Sequence, residues 1–246
     1  MLLEVWYDGK HFWVEDDTAR PDTKHSGLEK SEVNEIVAAN REWTDVLDAF
    51  AGYGISSYIF SKHAKRVLAL EKRERTFSIL WQNISDIENI EAVHTDNVRF
   101  LEKAVTEEIE PPDLIDLDPF GNPYAQLRHA LAWMKRGALL VTTGEIEGIY
   151  RNSFIVRKNY PELKGKYIGK EAVWWAEREF IPRVIKQYPD SQLNLVHFYA
   201  EPTSIRVVFE VGGFEFTKET KDKLAARPHY LSWFKEAADL LRGREQ

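Results

Sequence analysis

The chain contains no cysteine, which excludes disulfides and thiolate metal sites and suits a reducing interior. No run of about 18 apolar residues occurs, and the N-terminus lacks the apolar core of a signal peptide. A soluble, cytoplasmic protein with no membrane partner is therefore expected. The seven histidines are scattered rather than spaced i, i+4 on one helix, so no metal site is expected. Positive charge is also in deficit. With 33 Lys+Arg against 40 Asp+Glu the formal net charge is −7, which argues against a protein that coats nucleic acid over its whole surface.

What is present is an ordinary globular composition, 43% hydrophobic and 30% charged, over 246 residues. That length suits one large α/β domain with a well-filled core. The pattern divides into an N-terminal hairpin and loop (1–26), a main domain (27–216) and a C-terminal helical extension (217–246). In the first part, Leu3–Tyr7 and His11–Glu15 flank Asp8-Gly9, a strong hairpin signal. Its aromatics need burial, so an edge hairpin packed on the main domain is favoured over a substrate-facing flap.

The main domain alternates strand and helix. A helix over 29–40 precedes the strand entering Val46-Leu47-Asp48, which runs through Ala49-Phe50-Ala51-Gly52-Tyr53-Gly54 into a helix over 55–64. Glycines in such a turn let a ligand approach the backbone. A second strand, Arg66–Leu70, ends in Glu71, 23 residues after Asp48, where an acid commonly accepts hydrogen bonds from ribose hydroxyls. A third, Ile90–His94, delivers Asp96 and Asn97; Asp96 can accept from an adenine amine or cap the following helix. A fourth ends in Asp116-Leu117-Asp118-Pro119-Phe120, and Ala138–Thr142 forms a fifth. This alternation predicts a Rossmann-like, mostly parallel sheet with helices on both faces. Ligands bind such sheets outside the carboxyl ends of the strands, where Gly52, Glu71, Asp96 and Asp118 all fall.

A basic insertion (145–170) follows the fifth strand. Within it Arg151, Arg157, Lys158, Lys164 and Lys166 interleave with Tyr150, Phe154, Tyr160 and Tyr167, a composition suited to phosphate contact and base stacking.

The run Asp118-Pro119-Phe120-Gly121-Asn122-Pro123 resembles the D-P-F-G-S-P motif of the tRNA (guanine-N2) dimethyltransferase family, within the class I S-adenosylmethionine-dependent methyltransferases. Asn40-Arg41 resembles that family's cofactor-contacting N-R-D element, and Leu193–Tyr199 with Ile205–Val211 resemble its last two strands. The resemblance spans roughly residues 38–211. Asn122 replaces Ser, the glycine turn differs, and residues 217–246 stand where the family carries a large C-terminal domain. The resemblance implies an antiparallel last strand, S-adenosyl-L-methionine as cofactor, and methyl transfer to an exocyclic purine amine. Asp118, Pro119 and Phe120 would then be catalytic, and Arg41, Asp48, Phe50, Gly52, Gly54, Glu71, Asp96 and Asn97 would hold the cofactor. A tRNA guanine-N2 substrate is favoured. A DNA adenine-N6 enzyme, a small-molecule or protein methyltransferase, and a non-catalytic cofactor-binding subunit are the alternatives.

Overall fold

The computed structural model describes residues 2–15, 26–119, 121–145, 175–200 and 204–227. Strands β1 (Leu2–Tyr7) and β2 (Lys10–Glu15) form the expected hairpin, a two-stranded sheet of its own. Asp8 and Gly9 at its tip have φ of 45° and 76°, the two positive values that a tight two-residue hairpin turn requires. An isolated hairpin is marginal in water, and this one is held from outside. Phe12 is fully buried with its ring 5.6 Å from that of Tyr58. The Asn83 side chain accepts from the Trp13 N–H and donates to the Trp13 and Tyr53 carbonyls, each at 2.8 Å. Lys10 pairs with Asp86 at 2.7 Å. The hairpin is thus packed on the main domain, as the aromatic content required.

The main sheet has seven strands: β3 (Trp43–Asp48), β4 (Ala64–Glu71), β5 (Ile90–His94), β6 (Leu114–Leu117), β7 (Gly137–Thr143), β8 (Asn194–Ala200) and β9 (Ile205–Val211). Their order is β5-β4-β3-β6-β7-β9-β8. The first five are mutually parallel, and β9 is antiparallel to both β7 and β8. Every residue of β6, β7 and β9 is buried, the pattern of a sheet covered on both faces.

Helices α1 (Ser26–Ala38), α2 (Ile55–Ser61), α3 (Glu74–Ile84), α4 (Asn97–Thr106) and α5 (Tyr124–Trp133) follow the strands in alternation. Residues of α4 and α5 share one core cluster with Leu117 and Val141, while Val33 and Val37 of α1 and Ile59 and Phe60 of α2 share another with Val46 and Leu140. The helix expected over 55–64 stops at Ser61 because the chain must turn into β4, which begins at Ala64. Ahead of β8, the described chain runs through a π turn (Ala176–Phe180) into α6 (Ile181–Gln187). Pro182 has no N–H to return to the preceding turn, which accounts for the widening there. Beyond β9, α7 (Lys218–Ala225) starts at a Thr217 cap that accepts from the Thr220 N–H. Of the helical extension expected over 217–246, residues 228–246 lie outside the described residues. No described helix is long and apolar enough to cross a membrane.

Candidate active site

The strand order reverses between β3 and β6, for the chain moves outward from β3 through β4 to β5 before returning to β6. A crevice opens at the carboxyl ends of the strands at such a switch point. Asp48 closes β3 and Glu71 closes β4; Asp96 follows β5 and Asp118 follows β6. Four carboxylates therefore line one edge of the sheet.

The β3–α2 turn is fixed by its backbone: Ala49 N–H donates to the Asp116 carbonyl at 3.0 Å and Ala51 N–H to the Leu70 carbonyl at 2.9 Å. Gly54 has φ +95°, and a Cβ there would fall 2.8 Å from Ile84 Cγ2. Gly52 has φ +56° and open space on its Cβ side, with nothing nearer than 3.9 Å. One glycine lets the turn pack on α3; the other leaves a bare stretch of backbone facing outward. Asn97 donates to the Ala49 carbonyl at 3.0 Å, which ties the turn to the start of α4. Phe50 is half-buried against the core. Glu71 is buried, its Oε1 accepting from Arg73 N–H at 2.7 Å. A half-buried glycine with open space on its Cβ side, at the strand end next to that of Glu71, can admit a ligand carrying a ribose diol. Asp96 caps α4 by accepting from Arg99 N–H and pairs with Lys72 at 2.8 Å; Lys72 first, with the backbone bond, holds its carboxyl below the usual range.

Arg41 does not join this group. It lies on the amino side of β3, exposed, with Nε donating to the Glu42 carbonyl and the guanidinium 5.8 Å from the Trp43 ring. A six-residue strand at about 3.3 Å per residue puts roughly 20 Å between it and the carboxyl edge. Phe120 and the segment carrying Arg151, Arg157, Lys158, Lys164 and Lys166 lie outside the described residues.

Beneath Asp118 is a buried charge cluster. Arg206 of β9 is 1% exposed; its guanidinium donates to Asp116 Oδ2 at 2.9 Å, to Thr142 Oγ1 at 2.8 Å and to Asn34 Oδ1, and lies 4.0 Å from Asp118 Oδ1. Lys30 of α1 donates to Asp118 Oδ2. Burial pushes Asp118 up, but Lys30 and then Arg206 outweigh it, and its carboxyl is held below the usual range. Asp48 goes the other way. Burial, then the charge of Asp116 beside it in register, pushes its carboxyl up to about 7, although Ser57 donates to its Oδ2 at 2.7 Å. Asp116 Oδ1 has no hydrogen-bond partner among the described residues. The cluster thus pushes two carboxyls apart, holding Asp118 at the rim more acidic and Asp48 beneath it less acidic.

The sequence pattern places Asp116 two residues before Asp118 and assigns no role to Lys30, Asn34, Thr142 or Arg206. One sign was available. A single arginine inside the apolar run Ile205–Val211 must find an acid if that strand is buried. Which acid was not legible, because Arg206 lies 90 residues from Asp116 and Lys30 lies 88 from Asp118.

The sheet order and the carboxylate-lined edge define the class I methyltransferase fold, and comparison with known proteins agrees. The chain belongs to the family described as conserved hypothetical protein 95, whose model matches residues 7–173. Among solved structures, Trm1 from Pyrococcus horikoshii in complex with S-adenosyl-L-methionine is similar at 18% identity and a TM-score of 0.65, over 91% of this chain and 64% of that one. TYW2 of M. jannaschii, in complex with AdoMet, is 15% identical with a TM-score of 0.54, over 85% of this chain and 84% of that one. The M. jannaschii tRNA m1G37 methyltransferase is 16% identical with a TM-score of 0.56, over 85% and 56%. This chain accordingly spans less than two thirds of the Trm1 chain it resembles. A sequence comparison with curated proteins finds no match.

Proposed function

We propose that this protein is an S-adenosylmethionine-dependent N-methyltransferase acting on an exocyclic purine amine in nucleic acid, with guanine N2 of tRNA as the favoured target. The observation that carries the reading is Asp118, its carboxyl contacted by Lys30 and followed by Pro119, at the end of β6 and across the switch point from the β3–α2 glycine turn.

Gly52, Gly54, Asp48, Phe50, Glu71, Asp96 and Asn97 surround the cofactor crevice, with the Glu71 carboxylate suited to the ribose hydroxyls. Arg41 has no part in this assignment. When bound, the cofactor supplies an electrophilic methyl on a sulfonium. Asp118 accepts one N–H of the amine and the Pro119 carbonyl accepts the other, which aims the nitrogen. Phe120 stacks on the base, and the basic segment at 151–166 meets phosphates. Transfer of this kind depends on proximity and orientation more than on a strong base, which suits a carboxylate held at low basicity. The tRNA preference is supported by the D-P-F-G-N-P run. It is supported further by the tRNA methyltransferase among proteins of the same fold.

The test is transfer of labelled methyl from S-adenosylmethionine to bulk tRNA, total RNA and genomic DNA in parallel, with the product nucleoside identified by mass. Methylated guanine in tRNA is expected. Labelled N6-methyladenine in DNA would replace the tRNA reading with the DNA one. Normal turnover by Asp118→Ala would sink the mechanism itself.

A further inference from the structure

Asp118 faces two cations of unequal freedom. Arg206 is fixed by Asp116, Thr142 and Asn34 and is 1% exposed. Lys30 comes from α1 on a flexible four-carbon stem and is 28% exposed, against 21% for Asp118 itself. The Lys30 ammonium sits on Oδ2, the oxygen farther from Arg206's reach at Oδ1. Both are the rim of the crevice that an incoming base enters. A buried carboxylate with no cation takes up a proton instead. A protonated Asp118 has lost acceptor capacity.

We infer that Lys30 is a displaceable counter-ion, a positioning residue that keeps Asp118 ionised and aimed in the free protein and yields Oδ2 to the N–H of the arriving amine. The inference rests on the proposed function for the identity of that amine. The exchange swaps one N–H donor for another on the same oxygen, with Arg206 keeping the carboxylate charged throughout. No proton changes owner in the swap. Lys30 therefore competes with substrate for Asp118 while making Asp118 competent to bind it.

The groups bearing on Asp118 are Lys30 from α1, Arg206 from β9, Asp116 on its own strand, Asp48 from β3 and the Thr142 hydroxyl from β7; Tyr199 of β8 acts on Arg206. Of the two cations, Lys30 has the larger effect in holding Asp118 low. Replacing it by a neutral side chain of similar length should raise the Asp118 titration, which carbon-13 NMR of labelled aspartate carboxyls reads without substrate. Lys30→Met is expected to move that titration upward, and Lys30→Arg to restore it. In methyl transfer, Lys30→Met should shift the acid limb of kcat/KM upward by the same amount. On the alkaline plateau, where Asp118 is ionised in both proteins, it should lower KM severalfold with little change in kcat. An unmoved Asp118 titration in folded Lys30→Met overturns the inference, and so does a plateau KM that rises, since that outcome makes Lys30 a direct substrate contact. Wild-type protein that methylates no nucleic acid sinks the proposed function, while the NMR arm still decides whether Lys30 governs Asp118.

Discussion

Arg206 offers the sharpest quantitative test of the structure, because removing it strands charge in the interior. In Arg206→Met three contacts vanish: those to Asp116 Oδ2, Thr142 Oγ1 and Asn34 Oδ1. Asp116 is fully buried, and its other oxygen has no hydrogen-bond partner among the described residues, so it loses the cation it is bonded to. Breaking a buried ion pair from one side costs about 3–5 kcal/mol. For a chain of this size each kcal/mol lowers Tm by about 2–4 °C, so a fall of roughly 6–20 °C follows. Asp116 in the variant can escape by taking up a proton. Its folded pKa then lies above the unfolded one, and stability held at low pH is lost as pH rises through the folded value. The deficit should accordingly be smaller at pH 5 than at pH 8. Removing both charges, in Arg206→Met/Asp116→Leu, should recover most of the loss, because apolar replacements of buried pairs are often neutral or better. Urea unfolding followed by tryptophan fluorescence measures all three proteins. A single-variant cost below about 1 kcal/mol, or a double variant no more stable than the single, would refute the claim that this pair is buried and uncompensated.

Gly54→Ala should destabilise by about 1–3 kcal/mol through overpacking and a positive φ, and should weaken cofactor binding by calorimetry, since its Cβ would meet Ile84 and Leu80. Gly52→Ala meets no packing clash but is strained by its φ of +56°, so it should cost about 1 kcal/mol of stability, and a loss of cofactor affinity larger than that reports direct approach to the backbone. Asp48 titrates near 7 in the folded chain, above its unfolded value. Its contribution is therefore full below the unfolded pKa and lost as pH rises towards and through 7. Asp48→Asn should flatten the stability–pH curve between about pH 4 and 7, and an unchanged slope in urea titrations would remove that role. Asn83→Ala should cost about 1–3 kcal/mol and weaken cofactor binding together, because one side chain holds both the hairpin and the glycine turn.

The parts of the fold that follow from local chemistry were legible in the residues. The turn Asp8-Gly9, the parallel strands with acids at their ends, and the glycines before α2 each announce themselves within a dozen positions. Asp96 was legible as a cap because a helix begins directly after it. Arg41 was misplaced by motif likeness, because a residue before a strand lies at the opposite edge from one after it. The charge cluster was the hardest part to read. Lys30, Asn34, Thr142 and Arg206 meet only when α1, β7 and β9 converge, and no spacing along the chain encodes that convergence.

The position of β9 has a consequence for biosynthesis. Asp48, Asp116, Asp118 and Lys30 are all translated well before Arg206, and β9 must slip between β7 and β8 to deliver its guanidinium. A nascent chain that has paired β3, β6 and β7 therefore holds three carboxyls against one ammonium. Closure of the interior then waits on one of the last strands of the sheet to be made. A chain released before β9 is made would leave Asp116 without its guanidinium partner in the sheet interior.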